Sequence, residues 1–293
     1  MGPRDDEVGR HLKDFEHFAV PVLAELGEVE ERIRDLREAL PRDGALQQMS
    51  LTYVQPAAEH LFRPQGKLLR PLLVLLAARS VGPLQSRQSV VRAAAAVELI
   101  HTASLAHDDM VDEAATRRGT TSLHVAYGNS VAVLVGDLLY SRFFKELLAL
   151  TDSALPVRVK LLEAFLTVTE RMCQGEILEE QLRAGRVEVS LDMYLHLTAA
   201  KTAELLAACC YAGCLLNGGT DADAQRLSTY GKSLGMLFQI ADDRDDGDGV
   251  FRDPHVLAAQ ARSFQCSALE QVAGFQENDA VRSLRELPGS LMP

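Results

Sequence analysis

The sequence predicts an all-α fold, a single-domain helical bundle around a central cavity. Three observations carry that reading. Apolar residues recur at helical spacing almost throughout, with no convincing run of strict alternation. Hydrophobic residues make up 47% of the 293 positions but aromatics only 5%, and tryptophan is absent, so the apolar mass is Ala, Leu and Val, which favours helices. Short breaks fall at Pro41–Gly44, Arg63–Gly66, Gly82–Pro83, Gly119–Thr121, Ser153–Pro156, Gly185 and Asn217–Gly219. No linker or low-complexity block divides the chain, so residues 1–293 read as one domain.

The elements follow in order. Residues 8–39 read as one or two charged amphipathic helices without evident chemistry. The breaks separate helices of roughly 12–28 residues. Asn217-Gly218-Gly219 suits a C-cap, with an N-cap following at Thr220 or Asp221. Five cysteines without CxxC spacing read as reduced thiols, and Cys209, Cys210 and Cys214 as small core residues. The first ten residues are charged and carry no apolar signal core, and the densest apolar run, Leu72 to Ala78, is too short to span a bilayer. These features predict a cytoplasmic protein without a transmembrane segment. The formal charge of −11 excludes nucleic acid as the expected partner, because no basic surplus displaces phosphate counterions. It does not exclude a phosphorylated small molecule held through divalent metal.

Two acidic clusters carry the chemistry. His107-Asp108-Asp109-Met110-Val111-Asp112 ends an apolar run from Arg92 to Ala106. On a helix Asp108 and Asp112 are i,i+4 neighbours, with Asp109 offset to one side. Like charges at about 4 Å repel by about 4 kcal/mol at an effective dielectric near 20, so a hard divalent cation is the natural compensator. Asp242-Asp243-Arg244-Asp245-Asp246 repeats the DDxxD pattern after the apolar stretch Leu234 to Ala241. One such motif is as readily a solvated helix end. Two, each ending an apolar helix, predict carboxylates facing across a cavity.

Basic residues accompany them. Arg117 and Arg118 follow Asp112, while Lys67 and Arg70 stand at i,i+3 at the start of a very apolar helix. Each pair alone is more often a surface pair. Beside the aspartates they suit a diphosphate, Arg as a fork and Lys as a point charge.

From Gly66 to Asp246 these residues resemble the trans-polyprenyl diphosphate synthase family. The motifs run in order: GKLLRP, ELIHTASLAHDDMVDEAATRRGTTSLH, Gly136-Asp137, QGE at Gln174, KTA at Lys201 and FQIADDRDD. The resemblance implies the isoprenoid synthase type of helical bundle, a homodimer, and magnesium as cofactor. It implies condensation of isopentenyl diphosphate with an allylic diphosphate to a longer trans-prenyl diphosphate, by ionisation to an allylic cation. Asp108, Asp112 and Asp242 are then metal ligands, and Asp109, Asp243 and Asp246 second or water-mediated metal partners. Arg117, Gln174 and Lys201 would hold the allylic diphosphate, and Lys67, Arg70, His101 and Arg118 the isopentenyl diphosphate. Thr202 and Gln239 would sit beside the allylic carbon. Without the resemblance His101 reads as a satisfied core histidine.

Small side chains at Ala103 and Ser104, one turn before the first DDxxD, are expected in the cavity wall, with Phe143 and Phe144 as a deeper floor. That predicts products from geranylgeranyl upward, and an Ala103→Phe chain with a shorter product. The sequence departs from the family after Asp246. It lacks the usual Gly-Lys loop and Lys-x-Thr-Leu-Pro segment, and it moves almost directly to Val256–Phe275. Arg252 is the nearest replacement cation, and Arg244 inside the second motif is expected to pair with a neighbouring aspartate. This shortening supports the alternative of a non-catalytic or partner-dependent subunit of a heteromeric synthase. A class I terpene cyclase and a plain helical scaffold fit the repeated DDxxD and the basic pairs less well.

Overall fold

The computed structural model describes residues 15–38, 54–62, 66–117, 119–246 and 249–292; the Asp246 side chain lies outside that description. The amphipathic start of the chain becomes α1 (Phe15–Ala19), a 3-10 turn (Val20–Val22) and α2 (Leu23–Glu38). Then follow α3 (Gln55–Phe62), α4 (Leu69–Ser80) and α5 (Arg87–Val111). The expected break at Pro41–Gly44, and residues 63–65 of the one at Arg63–Gly66, lie outside the described residues.

One feature departs from the all-helical expectation. Thr116–Arg117 (β1) and Thr120–Thr121 (β2) pair antiparallel, Thr116 opposite Thr121 and Arg117 opposite Thr120. Gly119 takes φ +72° between them, a conformation in which any larger residue is strained. A two-pair ladder is too short to show period-2 patterning, so the sequence displayed only the turn.

The chain continues through α6 (Leu123–Tyr127), α7 (Asn129–Leu148) and α8 (Leu155–Arg183). Pro156 stands in the first turn of α8, where its missing N–H costs nothing. Gly185, at φ +66°, follows its C-terminus. Next come α9 (Leu191–Thr198), a π-helical turn (Ala199–Ala203) and α10 (Glu204–Leu216). The Asn217–Gly219 break behaves as expected: the Thr220 hydroxyl accepts from the Asp223 N–H, and the Asp223 carboxylate accepts from the Thr220 N–H. That reciprocal cap starts α11 (Asp221–Asp246), followed by α12 (Pro254–Val272) and α13 (Asp279–Ser290).

Helix α4 sits at the centre, with Leu72 to Ala78 all fully buried between α5 and α10. Helix α11 packs on α10 and α12, and α7 on α5. Cys209, Cys210 and Cys214 are buried in α10, whereas Cys173 and Cys266 are exposed; all five are free thiols. Two segments, Arg87–Val111 and Leu191–Leu216, are long and apolar enough to cross a membrane by composition alone, but their apolar windows are 89% and 67% buried inside the bundle. They are its core helices.

Candidate active site

Helix α5 ends where its apolar face runs out. Asp112 caps it, the Ala114 N–H bonds the Asp109 carbonyl, and Glu113 takes the left-handed conformation at φ +51°. This paired closure is the Schellman arrangement, with Glu in the position glycine usually fills. Asp108 and Asp112 point into a cavity of about 490 Å³. Asp242 and Asp243, near the end of α11, line the same cavity. The two acidic motifs therefore face one space, as the sequence predicts.

Lys201 and Thr202 reach the cavity from the π turn between α9 and α10. An extra residue in a helical turn re-aims the side chains it carries, which is why such turns gather at functional sites. Lys201 pairs with Glu176 at 2.6 Å and also with Glu179, both on α8. Those two carboxylates hold its ammonium well above the ordinary lysine range, against the opposing effect of burial. Gly175 makes the approach possible, since a Cβ there would lie 2.9 Å from Lys201 Cγ.

The Thr202 hydroxyl donates to Gln239 Oε1 at 2.9 Å, and Gln239 Nε2 donates to Asp243 Oδ1 at 2.9 Å. Tyr194 donates to the other Asp243 oxygen at 2.7 Å. Arg70 and His101 line the cavity, as do Leu105, Leu197, Phe238 and Val250 on its apolar side. Arg252, expected as the nearest replacement cation, lines it too. Arg244 pairs with exposed Asp245 at 2.8 Å. The arginine inside the second motif has thus taken the motif's spacer aspartate as its partner.

Several expected placements differ. Asp109 is 2% exposed and bonded to Arg117 at 2.5 Å, outside the cavity lining; this buried pair anchors the strand that follows α5. Arg117 bonds Asp109 and still lines the cavity, where a diphosphate can reach it. Gln174 is exposed on α8 and outside the lining, because the helix turns Gly175 and Glu176 toward Lys201 instead. Lys67 also lies outside the lining, in the loop before α4. Arg118 and the Asp246 side chain lie outside the described residues.

Ser104 lines the cavity, but Ala103 is fully buried in the main core. Phe143, also fully buried, packs edge-on against Phe144 and Phe165, and neither Phe143 nor Phe144 reaches the cavity. Consecutive helical positions are about 100° apart, so only one of Ala103 and Ser104 faces the opening.

Glu179, Arg183 and Tyr194 belong to none of the sequence motifs, and Glu176 only to QGE. Their one signal is the i, i+3, i+7 spacing of Glu176, Glu179 and Arg183 on a face of α8.

The donor set suits a hard divalent cation. Asp108, Asp112, Asp242 and Asp243 offer oxygen alone. Burial pushes the Asp108 carboxyl up to about 7, Glu176 adds to the rise, and Lys201 and Arg117 oppose it. Added positive charge would relieve a carboxylate so placed. Among the described residues no group of three His, Cys, Asp or Glu side chains closes into a ready-made cage.

Helix order, central cavity and facing acidic clusters together define an all-helical isoprenoid synthase fold. Residues 52–255 match the polyprenyl synthetase family, and the chain belongs to it. It is 38% identical over 190 residues to the short chain isoprenyl diphosphate synthase of Methanothermobacter thermautotrophicus, covering 64% of this chain and 56% of that one. It is 39% identical over 178 residues to the octaprenyl diphosphate synthase of Haemophilus influenzae, covering 61% and 51%. The chain thus spans about half the length of the curated relatives it matches. The crystal structure of a polyprenyl synthase from Caulobacter crescentus, complexed with calcium and isoprenyl diphosphate, superposes with a TM-score of 0.76 at 27% identity, over 95% of this chain and 97% of that one.

Proposed function

We propose that this chain condenses isopentenyl diphosphate with an allylic diphosphate, using magnesium, to give a trans-prenyl diphosphate of geranylgeranyl length or longer. The observation that carries this reading is one cavity receiving Asp108 and Asp112 from α5, Asp242 and Asp243 from α11, and Lys201 and Arg70 beside them. Asp108, Asp112 and Asp242 would hold the metal. A divalent cation bound there draws negative charge onto the departing diphosphate.

The chain's own residues do the rest. Lys201 and Arg117 hold the allylic diphosphate, and Arg70 and His101 hold isopentenyl diphosphate. The Thr202 and Gln239 oxygens turn dipoles toward the developing allylic cation, and Tyr194 fixes Asp243 so that Gln239 keeps its orientation. Leu105, Leu197, Phe238 and Val250 keep water from a cation that it would quench. The alkene of isopentenyl diphosphate attacks the cation, and the released diphosphate takes the proton then lost. The cavity supports a longer product because Ser104, a small residue, stands in its wall.

We further propose a homodimer through α7 and α8. Leu155, Val159, Leu166 and Ile177 are all exposed and form one helical stripe on α8, joined by Leu134 of α7. Light scattering of the wild type and of Leu166→Glu tests this; a monomeric wild type overturns it.

One observation favours a second reading, the partner-dependent subunit. The connection from Asp246 to Pro254 is short, leaving little chain to cover the diphosphates. Incubation with Mg²⁺, labelled isopentenyl diphosphate and geranyl, farnesyl or geranylgeranyl diphosphate, followed by chain-length analysis, separates the readings. Mg²⁺-dependent elongation supports the synthase. A folded chain that elongates none of these primers overturns it in favour of the subunit.

A further inference from the structure

Arg183 has no part in the condensation as derived above, yet it lines the cavity. It is the last residue of α8, and it donates to Oδ1 of Asp112, the residue at the C-terminal cap of α5. Its other terminal nitrogen donates to Glu179 at 2.6 Å, and Glu180 lies 3.5 Å away. The Asp112 side chain is 5% exposed, so this guanidinium replaces much of the water the carboxylate would otherwise hold.

The surrounding charges alternate. Lys201 bridges Glu179 and Glu176, so Asp112, Arg183, Glu179, Lys201 and Glu176 form one chain, with Asp108 close enough to feel both Glu176 and Lys201. Carboxylates outnumber cations in this chain, with Glu180 also beside Arg183 and Arg117 also acting on Asp108. A guanidinium does not shed its proton, so it vacates a carboxylate only by moving. Its side chain is 34% exposed, which leaves room for that motion.

We propose that Arg183 is a resident counter-cation that holds Asp112 in the metal-free protein and competes with the divalent metal for it. Arg183 thereby sets the metal affinity of the first acidic cluster. When metal takes Asp112, the guanidinium stays on Glu179 and Glu180. This rests on Asp112 being a metal ligand, as in the proposed function.

The test is Mn²⁺ binding to Arg183→Gln and wild type, read from the free-ion electron paramagnetic resonance signal with inorganic diphosphate present. The variant should bind Mn²⁺ about two- to five-fold more tightly, the range expected for losing a partly exposed competing pair. Thermal unfolding gives a readout that a merely structural role would not move. The variant should melt lower without metal but gain more from Mn²⁺ than wild type does. Equal or weaker Mn²⁺ binding with an equal thermal gain overturns the proposal and leaves the metal site standing. No Mn²⁺ binding by either protein overturns the metal site as well. Should circular dichroism show Arg183→Gln unfolded, Arg183→Lys carries the same test, because losing the fork should also tighten Mn²⁺.

Discussion

Asp108 is a residue whose surroundings oppose its own charge: burial and Glu176 together make the ionised form costly. Asp108→Asn should therefore separate activity from stability. Losing one metal ligand should lower kcat/KM by about 10³-fold, the factor that several kcal/mol of transition-state charge stabilisation commands. The metal-free melting temperature should hold or rise, since a neutral amide replaces a disfavoured carboxylate. Labelled-product kinetics and thermal unfolding check both; activity within ten-fold of wild type would remove Asp108 from the metal set. The aspartates were legible in the sequence because i,i+4 spacing is a local property of a helix. Arg183 was not, because its partner Asp112 is 71 residues away and only the folded bundle brings the end of α8 beside the end of α5.

Helices decide which of two neighbouring residues meets the substrate. Ser104 faces the cavity, whereas Ala103 faces the packed core, so the two phenylalanine substitutions should behave oppositely. Ser104→Phe should shorten the product with a modest change in stability. Ala103→Phe should instead cost about 1–3 kcal/mol through overpacking, with the product length of the surviving enzyme unchanged. Chain-length analysis and urea unfolding of the two variants decide it, and a shorter product from Ala103→Phe alone would reverse the assignment. The Gly136-Asp137 motif receives a similar account from the contact between α7 and α5. A Cβ on Gly136 would stand 2.1 Å from His107 Nε2, one residue before Asp108. Gly136→Ala should push α5 and α7 apart and cost about 1–3 kcal/mol by urea unfolding, with reduced activity; a wild-type midpoint and rate would show that the ring yields freely. Helix existence and order were legible from periodicity, but the π turn at Ala199–Ala203 was not, since one extra residue per turn leaves the apolar pattern almost unchanged.

At the scale of the whole molecule, Glu146 of α7 ties together parts of the chain far apart in sequence. One of its oxygens accepts from Arg32 of α2 at 2.8 Å and from Arg92 of α5 at 2.6 Å, and Arg92 also donates to the Ala149 carbonyl at 3.1 Å. Burial pushes the Glu146 carboxyl up, but the hydrogen bonds and charges of the two arginines outweigh it and hold the group below its ordinary 4.5. With the folded pKa depressed, the unfolded chain binds a proton more readily than the folded one in the window below about 4.5. The stabilisation is therefore complete above the unfolded value and is lost as pH falls through the folded one. Glu146→Gln should unfold more easily than wild type by about 1–3 kcal/mol at pH 6, since it leaves two arginines without their carboxylate. That gap should narrow as pH drops below about 4.5. Urea titrations of both proteins from pH 6 to pH 3 measure it. A gap that stays constant across the range would mean that Glu146 acts through shape alone, with α2 held to the bundle by its apolar residues Leu26, Val29 and Leu36 rather than by charge.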